Sequence, residues 1–204
     1  MARYTGPRLK IVRRFQEPLP GLTQKNGERR PYPPGQHGPG RRTKLSDYRI
    51  RLEEKQKLRC NYGLSERQLR KYFKRAIKTK GDTGAVLLQV LEQRLDDAVF
   101  RAGFAPTVPA ARQLVNHGHV LVNGKKVDVA SYSLRANDVI TLREKSRKIP
   151  MVVSTLGARP LELPSYLSVD SDKLEATFTG LPTREDVPVD VQEQLIVEFY
   201  SRVA

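Results

Sequence analysis

Two adjacent carboxylates, Asp96 and Asp97, are the side chains of this chain that could suggest general acid–base chemistry. Two carboxyls can share such chemistry only when both reach one reacting group. Both residues fall in a segment with helical periodicity, where neighbouring side chains point in different directions. We therefore expect a structural role, in which Asp96 holds a nearby arginine or backbone amide.

His117 and His119 raise the question of a metal site. Zinc needs three or four nitrogen, sulfur or carboxylate ligands, and the remaining histidine, His37, and the single cysteine, Cys60, are distant in the sequence. His117 could instead contact RNA or complete a helix end, where imidazolium is favoured. Both of these interpretations stay open, and we expect neither a metal nor another cofactor.

A helix predicted to begin after Ser65 carries positive charge along one side. Its apolar residues recur at i, i+3, i+4, i+7 and i+8, and its basic residues repeat that spacing with an offset of two, a rotation of about 200°. The apolar side is Leu69, Tyr72, Phe73, Ala76 and Ile77, and the basic side is Arg67, Arg70, Lys71, Lys74, Arg75 and Lys78. An ordinary solvated face mixes signs, because like charges four residues apart repel. This face therefore indicates a polyanionic partner.

The charge of the whole chain favours the same class of partner. Its 204 residues carry a formal net charge of +15, distributed as +17 over residues 1–80, +3 over 81–150 and −5 over 151–204. Such asymmetry is typical of a nucleic-acid-binding part joined to a part that faces something else. The single cysteine favours a reducing compartment. No apolar run approaches the ~20 residues of a membrane span, and the N-terminus lacks the apolar stretch of a signal peptide.

Residues 1–40 contain seven prolines and six glycines among many arginines. Such a segment buries too little apolar surface to offset its ordering entropy. We interpret it as an extended basic arm that becomes ordered on RNA, as arginine-rich segments commonly do; the alternative is a tail that stays flexible. Tyr48 and Tyr62 could stack on bases, but we favour core positions for both, and also for Cys60.

The stretch from Arg94 to Val127 predicts two helices and a hairpin. Gly103 is a helix stop signal, and Thr107 can cap the second helix. Asn123 and Gly124 form the strongest two-residue hairpin signal, because both turn positions need a positive φ. Elsewhere the pattern predicts a helix over 87–100 capped by Thr83, strands at 138–143 and 176–179, a helix over 146–155 interrupted at Pro150, and a terminal strand or extended tail at 195–200.

Several of these segments resemble a known family. The stretch from Arg94 to Val127 resembles the S-four RNA-binding domain. The chain is similar over nearly its full length to the family of small-subunit ribosomal protein S four, in its bacterial or plastid form, through YPPGQHGPGRR (32–42), LEEKQKLRCNYGLSERQLRKYF (52–73), GDTGAVLLQVLEQRLD (81–96), ARQLVNHGHVLVNGKKV (111–127) and IVEFYSR (196–202). Residues 3–23 are most similar to cyanobacterial and plastid members.

We expect an α+β protein with a basic extended N-terminal arm (1–42), a helical domain (43–90), an S-four RNA-binding domain made of a helix pair and a small antiparallel sheet (91–155), and a C-terminal segment (156–204). The resemblance implies that residues 180–204 pack back on the helical domain. Some family members hold zinc through cysteines in the arm, but this chain has no cysteine before Cys60.

The resemblance implies a non-enzymatic component of the small ribosomal subunit. Such a protein binds the 5′ domain of the rRNA early, nucleates assembly and contributes to translational accuracy. The implied neighbours are ribosomal proteins S five and S three and the mRNA near its entry channel, in the bacterial cytoplasm or the plastid stroma.

The residues expected to contact rRNA follow from charge, spacing and this resemblance. A-form RNA hides its base edges, so a protein reads phosphates, 2′-hydroxyls and junction shape, and its cations displace condensed counterions. The expected contacts are Arg3, Arg8, Arg13, Arg14, Arg41, Arg42, Arg49, Lys55, Arg59, Arg67, Arg70, Lys71, Lys74, Arg112, Gln113, Asn116, His117, Asn123, Lys125 and Lys126.

Two other classes of function remain open. An RNA-modifying enzyme or tRNA synthetase can carry an S-four domain as an accessory, but it needs a catalytic domain, for which little chain remains. A DNA-binding regulator could use the same helix pair, and a competition between duplex DNA and structured RNA would separate the two.

Overall fold

A computed structural model describes residues 4–25, 27–40, 44–157, 161–171 and 173–203. The chain divides into two compact units. The first comprises residues 1–86 and 189–204, and the second comprises residues 87–188.

The described residues form eight α-helices and five β-strands, which confirms the predicted α+β class. The helices are α1 (Arg8–Phe15), α2 (Asp47–Asn61), α3 (Glu66–Lys78), α4 (Thr83–Glu92), α5 (Leu95–Arg101), α6 (Val108–Asn116), α7 (Pro150–Gly157) and α8 (Glu193–Val203). The strands are β1 (Val120–Val122), β2 (Lys125–Lys126), β3 (Asp138–Leu142), β4 (Leu167–Asp170) and β5 (Glu175–Phe178). No helix of the described part has the length and apolarity needed to cross a membrane.

Side-chain caps fix where helices α3 and α4 begin. The predicted capping box is present at α3, where the Ser65 side chain accepts from the Gln68 backbone and the Gln68 side chain accepts from the Ser65 backbone. The prediction that Thr83 caps α4 is wrong, because Thr83 is already helical. The Asp82 carboxylate accepts from the Ala85 N–H at 2.8 Å instead, and an ionised acceptor forms the stronger cap.

The C-terminal residues 195–200, predicted as a strand or an extended tail, belong to helix α8. Their β-branched and aromatic residues favour strands locally, but Ile196, Phe199 and Tyr200 are buried at i, i+3 and i+4, which is the spacing of one helix face. Helix α8 packs against α2, and the Tyr200 ring lies 4.6 Å from that of Phe73. Packing therefore overrides the local preference.

The predicted arm is not extended throughout. Residues 8–15 form helix α1, and Val12, Leu19 and Leu22 are buried together in a small cluster. The prolines and glycines of this segment favoured an extended arm, but its few apolar residues are enough to form a small buried cluster.

Of the aromatic and apolar residues predicted to be buried near the helix ends, only some are buried. Tyr62 is buried as predicted, with 1% of its surface exposed, whereas Tyr48 is 61% exposed and Ile77 is 57% exposed. Cys60 is half-buried, and burial raises the pKa of its thiol. Tyr48 lies in the first turn of α2 and Ile77 in the last turn of α3, where a helix end offers fewer neighbours.

Two polar contacts fasten the arm to α2. The ammonium group of Lys57 lies 2.7 Å from the Glu17 carboxylate and 2.6 Å from that of Glu54. Burial by itself lowers the pKa of Lys57, but these two carboxylates outweigh burial and raise it. The Gly21 N–H donates to the Asn61 side-chain oxygen at 2.9 Å. The segment around Gly21 is therefore ordered by protein contacts.

Substituting Gly21 by alanine should loosen the arm. A β-carbon at this position would lie 2.6 Å from the Asn61 backbone oxygen, a distance that forces backbone movement. We expect a loss of about 1–3 kcal/mol in the free energy of unfolding, as for other overpacked sites, and faster hydrogen exchange in α1. Gly40→Ala is the matched control, because a β-carbon there meets no described atom within 4 Å. Equal effects of the two substitutions would contradict this account.

The second unit is built around one antiparallel sheet of strand order β2-β1-β3-β5-β4. The predicted hairpin is present, with φ values of 49° at Asn123 and 75° at Gly124. Helices α5 and α6 pack against each other, and their apolar faces share one buried core with the sheet. The predicted inner face of α6 is confirmed, since Val108, Ala111 and Val115 are all buried.

Residues 156–204 do not form one separate segment as predicted. Strand β5 pairs with β3, and β4 pairs with β5, so this part of the chain completes the sheet. Ala176 and Phe178 alternate into the core. Without β5, the edge of β3 would present unpaired backbone groups. The remaining residues from 189 onward belong to the first unit.

Two predicted helices of the second unit have different bounds. The helix predicted over 87–100 is divided into α4 and α5, because the Leu95 N–H donates to the Tyr132 carbonyl and Arg94 forms a β-bridge with Ser133. The helix predicted over 146–155 consists of a 3₁₀ turn (Glu144–Ser146) followed by α7, which begins at Pro150. Proline suits a first helical turn, where its missing N–H needs no partner.

Candidate nucleic-acid interface

Helix α3 presents the predicted basic stripe to solvent. Its packed side contains Leu69, Phe73 and Ala76, all buried. On the other side, all six basic residues are exposed: Arg67, Arg70, Lys71, Lys74, Arg75 and Lys78. Within the described part of the chain, none of the six takes part in a salt bridge. Their charge is therefore available to an external anion.

Glu66, the acid in the first turn of α3, does not neutralise the stripe. Its carboxylate accepts from the Lys55 ammonium at 2.7 Å and from the Tyr200 hydroxyl at 2.8 Å. Burial by itself raises the pKa of Glu66, but these two donors lower it below its ordinary value. Burial and the bond to Glu66 raise the pKa of Tyr200, so its phenol stays a donor. The charge of Glu66 is thus compensated within the protein.

Lys55, one of the expected rRNA contacts, is 4% exposed. Besides its salt bridge to Glu66, its ammonium lies 4.6 Å from the centre of the Phe199 ring. Because Lys55 is buried and paired with Glu66, it is not part of the interface.

Arg59 is in the last turn of α2. It is half-buried and donates to the Gln56 side-chain oxygen at 2.5 Å. Burial raises the pKa of Tyr200 and of Cys60, and the charge of Arg59 acts against this effect at both groups.

The other basic residues expected in the arm and at its end fall into three groups. Arg8 and Arg14 are exposed, and Arg49 is exposed but paired with Glu53 at 2.8 Å. Arg13 holds the arm together, since it donates to the backbone oxygens of Arg30 and Tyr32, both at 3.2 Å, and its guanidinium lies 5.0 Å from the Tyr32 ring centre. Arg3, Arg41 and Arg42 lie outside the described residues.

A second basic surface lies in the second unit, at the end of α6 and the hairpin. Six expected contacts are exposed there: Gln113, Asn116, His117, Asn123, Lys125 and Lys126. The side chain of Asn123 also supports the fold. It donates to the Asp138 carboxylate at 2.8 Å and accepts from the Val139 N–H at 2.9 Å.

Arg112 is held by the buried carboxylate of Asp96. Its Nε and Nη2 atoms both donate to Asp96 Oδ2, at 2.8 and 2.6 Å, and Arg94 donates to the same oxygen at 2.8 Å. This confirms the structural role predicted for Asp96, which is 0% exposed. Only 15% of the Arg112 side chain is exposed, so Arg112 presents to a ligand no more than one edge of its guanidinium.

Four basic residues that were not among the expected contacts lie beside this surface. The segment after β3 carries Arg143, Lys145, Arg147 and Lys148, all exposed. Arg143 donates to the Gly118 carbonyl at 3.3 Å, at the turn between α6 and β1. At the same turn, a β-carbon on Gly118 would collide with the Lys126 side chain. The run REKSRK is visible in the sequence, but only the fold shows that it lies beside the α6–β1 turn.

The two neighbouring histidines lie at the turn that follows α6. Their ring centres are 6.1 Å apart, and His119 Nδ1 lies 2.9 Å from the Ser146 hydroxyl. Among the residues that the structure describes, no three His, Cys, Asp or Glu side chains come together as metal ligands. Helix α6 ends immediately before His117. The His117 ring is exposed and can contact an external group.

Comparisons with known proteins agree with this geometry. Residues 3–92 match the family model described as "Ribosomal protein S4/S9 N-terminal domain", and residues 93–140 match the one described as "S4 domain". Proteins named small ribosomal subunit protein uS4 are similar over essentially the full length. That of Synechococcus elongatus is 58% identical over 203 residues, covering 99% of both chains. That of Trichormus variabilis is 56% identical over 205 residues, covering 100% of both.

Proposed function

Because the chain belongs to the family of small ribosomal subunit protein uS4, we propose that it is a structural component of the small ribosomal subunit and binds ribosomal RNA there. Like the family, it is not an enzyme. The observation that carries the proposal is the stripe on α3, where six exposed cations lie opposite a packed face. A polyanion is the partner that relieves their mutual repulsion.

The RNA contacts that we propose lie in both units. In the first unit they are Arg67, Arg70, Lys71 and Lys74 of the stripe, together with Arg8, Arg14, Arg49 and Arg59. In the second they are Gln113, Asn116, His117, Lys125, Lys126 and the exposed edge of Arg112, with the four basic residues after β3. Arginine and lysine suit phosphates, and the amides of Gln113 and Asn116 suit 2′-hydroxyl groups.

We further propose the finer role that the family resemblance implies. The chain binds the 5′ domain of small-subunit rRNA, nucleates assembly and contributes to translational accuracy, beside ribosomal proteins S five and S three and the mRNA near its entry channel. It acts on the ribosome of a bacterial cytoplasm or a plastid stroma. The negative charge of residues 151–204 supports a protein-facing part, since acidic groups repel RNA.

Binding of the full chain to the 5′ domain of small-subunit rRNA tests the proposal. Affinity is measured from about 50 to 200 mM salt with an unrelated RNA of equal length as competitor. We expect competitor-resistant binding that weakens at least 10³-fold over this range, as for six or more phosphate contacts.

Three outcomes would contradict the proposal. Equal affinity for both RNAs would mean that the charge acts without selecting the 5′ domain. Tighter binding of duplex DNA than of structured RNA would favour the DNA-binding regulator. Modified nucleotides in rRNA incubated with the chain would favour an enzyme.

A further inference from the structure

The turn between β1 and β2 is formed by a dipeptide that is prone to deamidation. In an asparagine followed by glycine, the glycine nitrogen can attack the asparagine carboxamide, because glycine has no β-carbon to hinder the approach. Asn123 and Gly124 are both exposed, so solvent reaches the turn. Their φ values of 49° and 75° belong to a turn that strongly prefers this dipeptide. The backbone geometry of the hairpin and the chemical lability of its sequence therefore coincide at one position.

Deamidation of Asn123 would proceed through a five-membered ring. The Gly124 nitrogen loses its proton to solvent and forms a bond to Asn123 Cγ. The bond from Cγ to Nδ2 breaks, and the amide nitrogen takes a proton from solvent and leaves as ammonia. Solvent water then opens the succinimide at one of its two carbonyl carbons, which yields aspartate or isoaspartate. The first step requires the Asn123 carboxamide to turn towards the Gly124 nitrogen.

Both polar atoms of the Asn123 carboxamide are bonded to the beginning of β3. Nδ2 donates to the Asp138 carboxylate at 2.8 Å, and Oδ1 accepts from the Val139 N–H at 2.9 Å. The first bond has a charged acceptor, and such bonds are about twice as strong as those between neutral groups. Because both partners belong to another strand, the carboxamide cannot turn towards Gly124 without breaking these bonds.

Asp138 is itself held in place. It is 8% exposed, and its second carboxylate oxygen accepts from the Arg135 N–H at 2.8 Å. Strand β3 is the middle strand of the sheet, where Asp138 is paired with Phe178 of β5. The backbone N–H of Asn123 also donates to the Val139 carbonyl, at 2.8 Å. The side chain and the main chain of Asn123 are therefore both bonded to the middle strand.

We propose that Asn123 is a protected deamidation site. The Asp138 carboxylate and the Val139 N–H hold its carboxamide away from the Gly124 nitrogen, and loss of this contact exposes the turn to deamidation. The contact therefore supports the hairpin and also extends the chemical lifetime of its turn.

The product of deamidation would disturb the hairpin. A carboxylate at position 123 would lie beside that of Asp138, and two carboxylates have only acceptor atoms. The isoaspartate form would also lengthen the main chain by one methylene at a turn where Val122 is paired with Lys125. The added negative charge beside Lys125 and Lys126 would weaken attraction to phosphates, a consequence that rests on the proposed function.

The rate of deamidation in the unchanged chain, folded and unfolded in guanidinium, is the first test. Mass spectrometry of the tryptic peptide 113–125 gives this rate, and its fragment ions separate Asn123 from Asn116. We expect Asn123 to react at least about tenfold more slowly in the folded chain, because its release breaks a hydrogen bond to a charged group. Asn26, which is also followed by glycine and lies outside the described residues, gives a second rate for the unfolded chain. Equal rates of Asn123 in the folded and the unfolded chain overturn the proposal.

The variant Asp138→Ala tests the role of the carboxylate. We expect Asn123 to deamidate about tenfold faster in this variant than in the unchanged folded chain, because one of its two bonds is lost. Asp128→Ala is the matched control, since it removes an exposed carboxyl that follows the same hairpin, and it should keep the unchanged rate. An unchanged rate in Asp138→Ala overturns the proposal.

Hydrogen exchange of the Asn123 N–H, which donates to the Val139 carbonyl, separates release of the side chain from opening of the hairpin. In Asp138→Ala we expect this exchange to accelerate much less than deamidation. Acceleration of both by the same factor would mean that strand pairing protects the site, and it would overturn the role of the side-chain contact. These measurements contain no RNA, so their outcome is independent of the proposed RNA binding.

Discussion

Reversing two charges of the α3 stripe, Arg70→Glu together with Lys74→Glu, is expected to reduce rRNA affinity at least tenfold at physiological salt. Both side chains are exposed and without salt bridges among the described residues, so the fold loses little. Each cation that neutralises a phosphate contributes about 0.7–0.9 to the slope of log affinity against log salt. The slope should therefore fall by about 1.4–1.8 in the variant, apart from the added repulsion of two carboxylates.

The measurement is the same salt series on the 5′ domain of small-subunit rRNA, with circular dichroism as the check on folding. The matched control is Lys173→Glu together with Arg202→Glu, which changes the net charge equally at exposed positions outside the proposed interface. We expect this control to weaken binding only slightly. A stripe variant with intact helices and unchanged affinity would show that α3 does not contact RNA.

The stripe could be recognised from the sequence because it depends on one helix alone. Helical periodicity places Leu69 and Arg70 on different sides of α3 regardless of what packs there. Caps are equally local, and the box formed by Ser65 and Gln68 follows the sequence prediction. The same holds for the Asn123–Gly124 turn, whose backbone geometry few other dipeptides can adopt.

Long-range packing decided the elements that the sequence did not predict. Helix α8 is made of residues with strand preference, and its helical form depends on its burial against α2. Strand β5 was predicted as a strand at 176–179, but its pairing with β3, which begins 37 residues before β5, was not. Local sequence patterns do not indicate α2 as the partner of α8 or β3 as the partner of β5, because these elements are distant in the sequence.

In the candidate site too, the sequence indicated the charged residues but not the contacts between residues that are distant in the sequence. Positive charge could be counted in the sequence, but the partner of each cation could not. Lys55 and Arg70 are both basic residues of adjacent helices, yet Lys55 is buried and bonded to Glu66, whereas Arg70 is exposed. A cation that is buried against a carboxylate of the fold is not available to RNA, and this burial is a property of tertiary structure.

Removing the charge of Asp96 is expected to have the largest effect on stability in the second unit. Asp96 is 0% exposed and forms salt bridges to Arg94 and Arg112 through one oxygen. In Asp96→Asn, the amide offers no negative charge to Arg94, whose side chain is 3% exposed. Breaking a buried pair by removing one partner costs about 3–5 kcal/mol. We expect a loss of this size in the free energy of opening, measured by hydrogen exchange of the α5 and α6 amides.

Asp128→Asn is the control, because it removes the same charge at an exposed position. Asp128 is exposed and its carboxylate lies 3.9 Å from the Lys126 ammonium, so this substitution should change stability by no more than about 0.5 kcal/mol. Arg112→Met, Asp96→Asn and the double variant together form a double-mutant cycle. We expect the two substitutions to be coupled by about 0.5–3 kcal/mol, as for residues in direct contact. Additive effects would mean that Asp96 acts through Arg94 alone. In that case the orientation of Arg112 in the second basic surface would depend on α6 and not on the buried carboxylate.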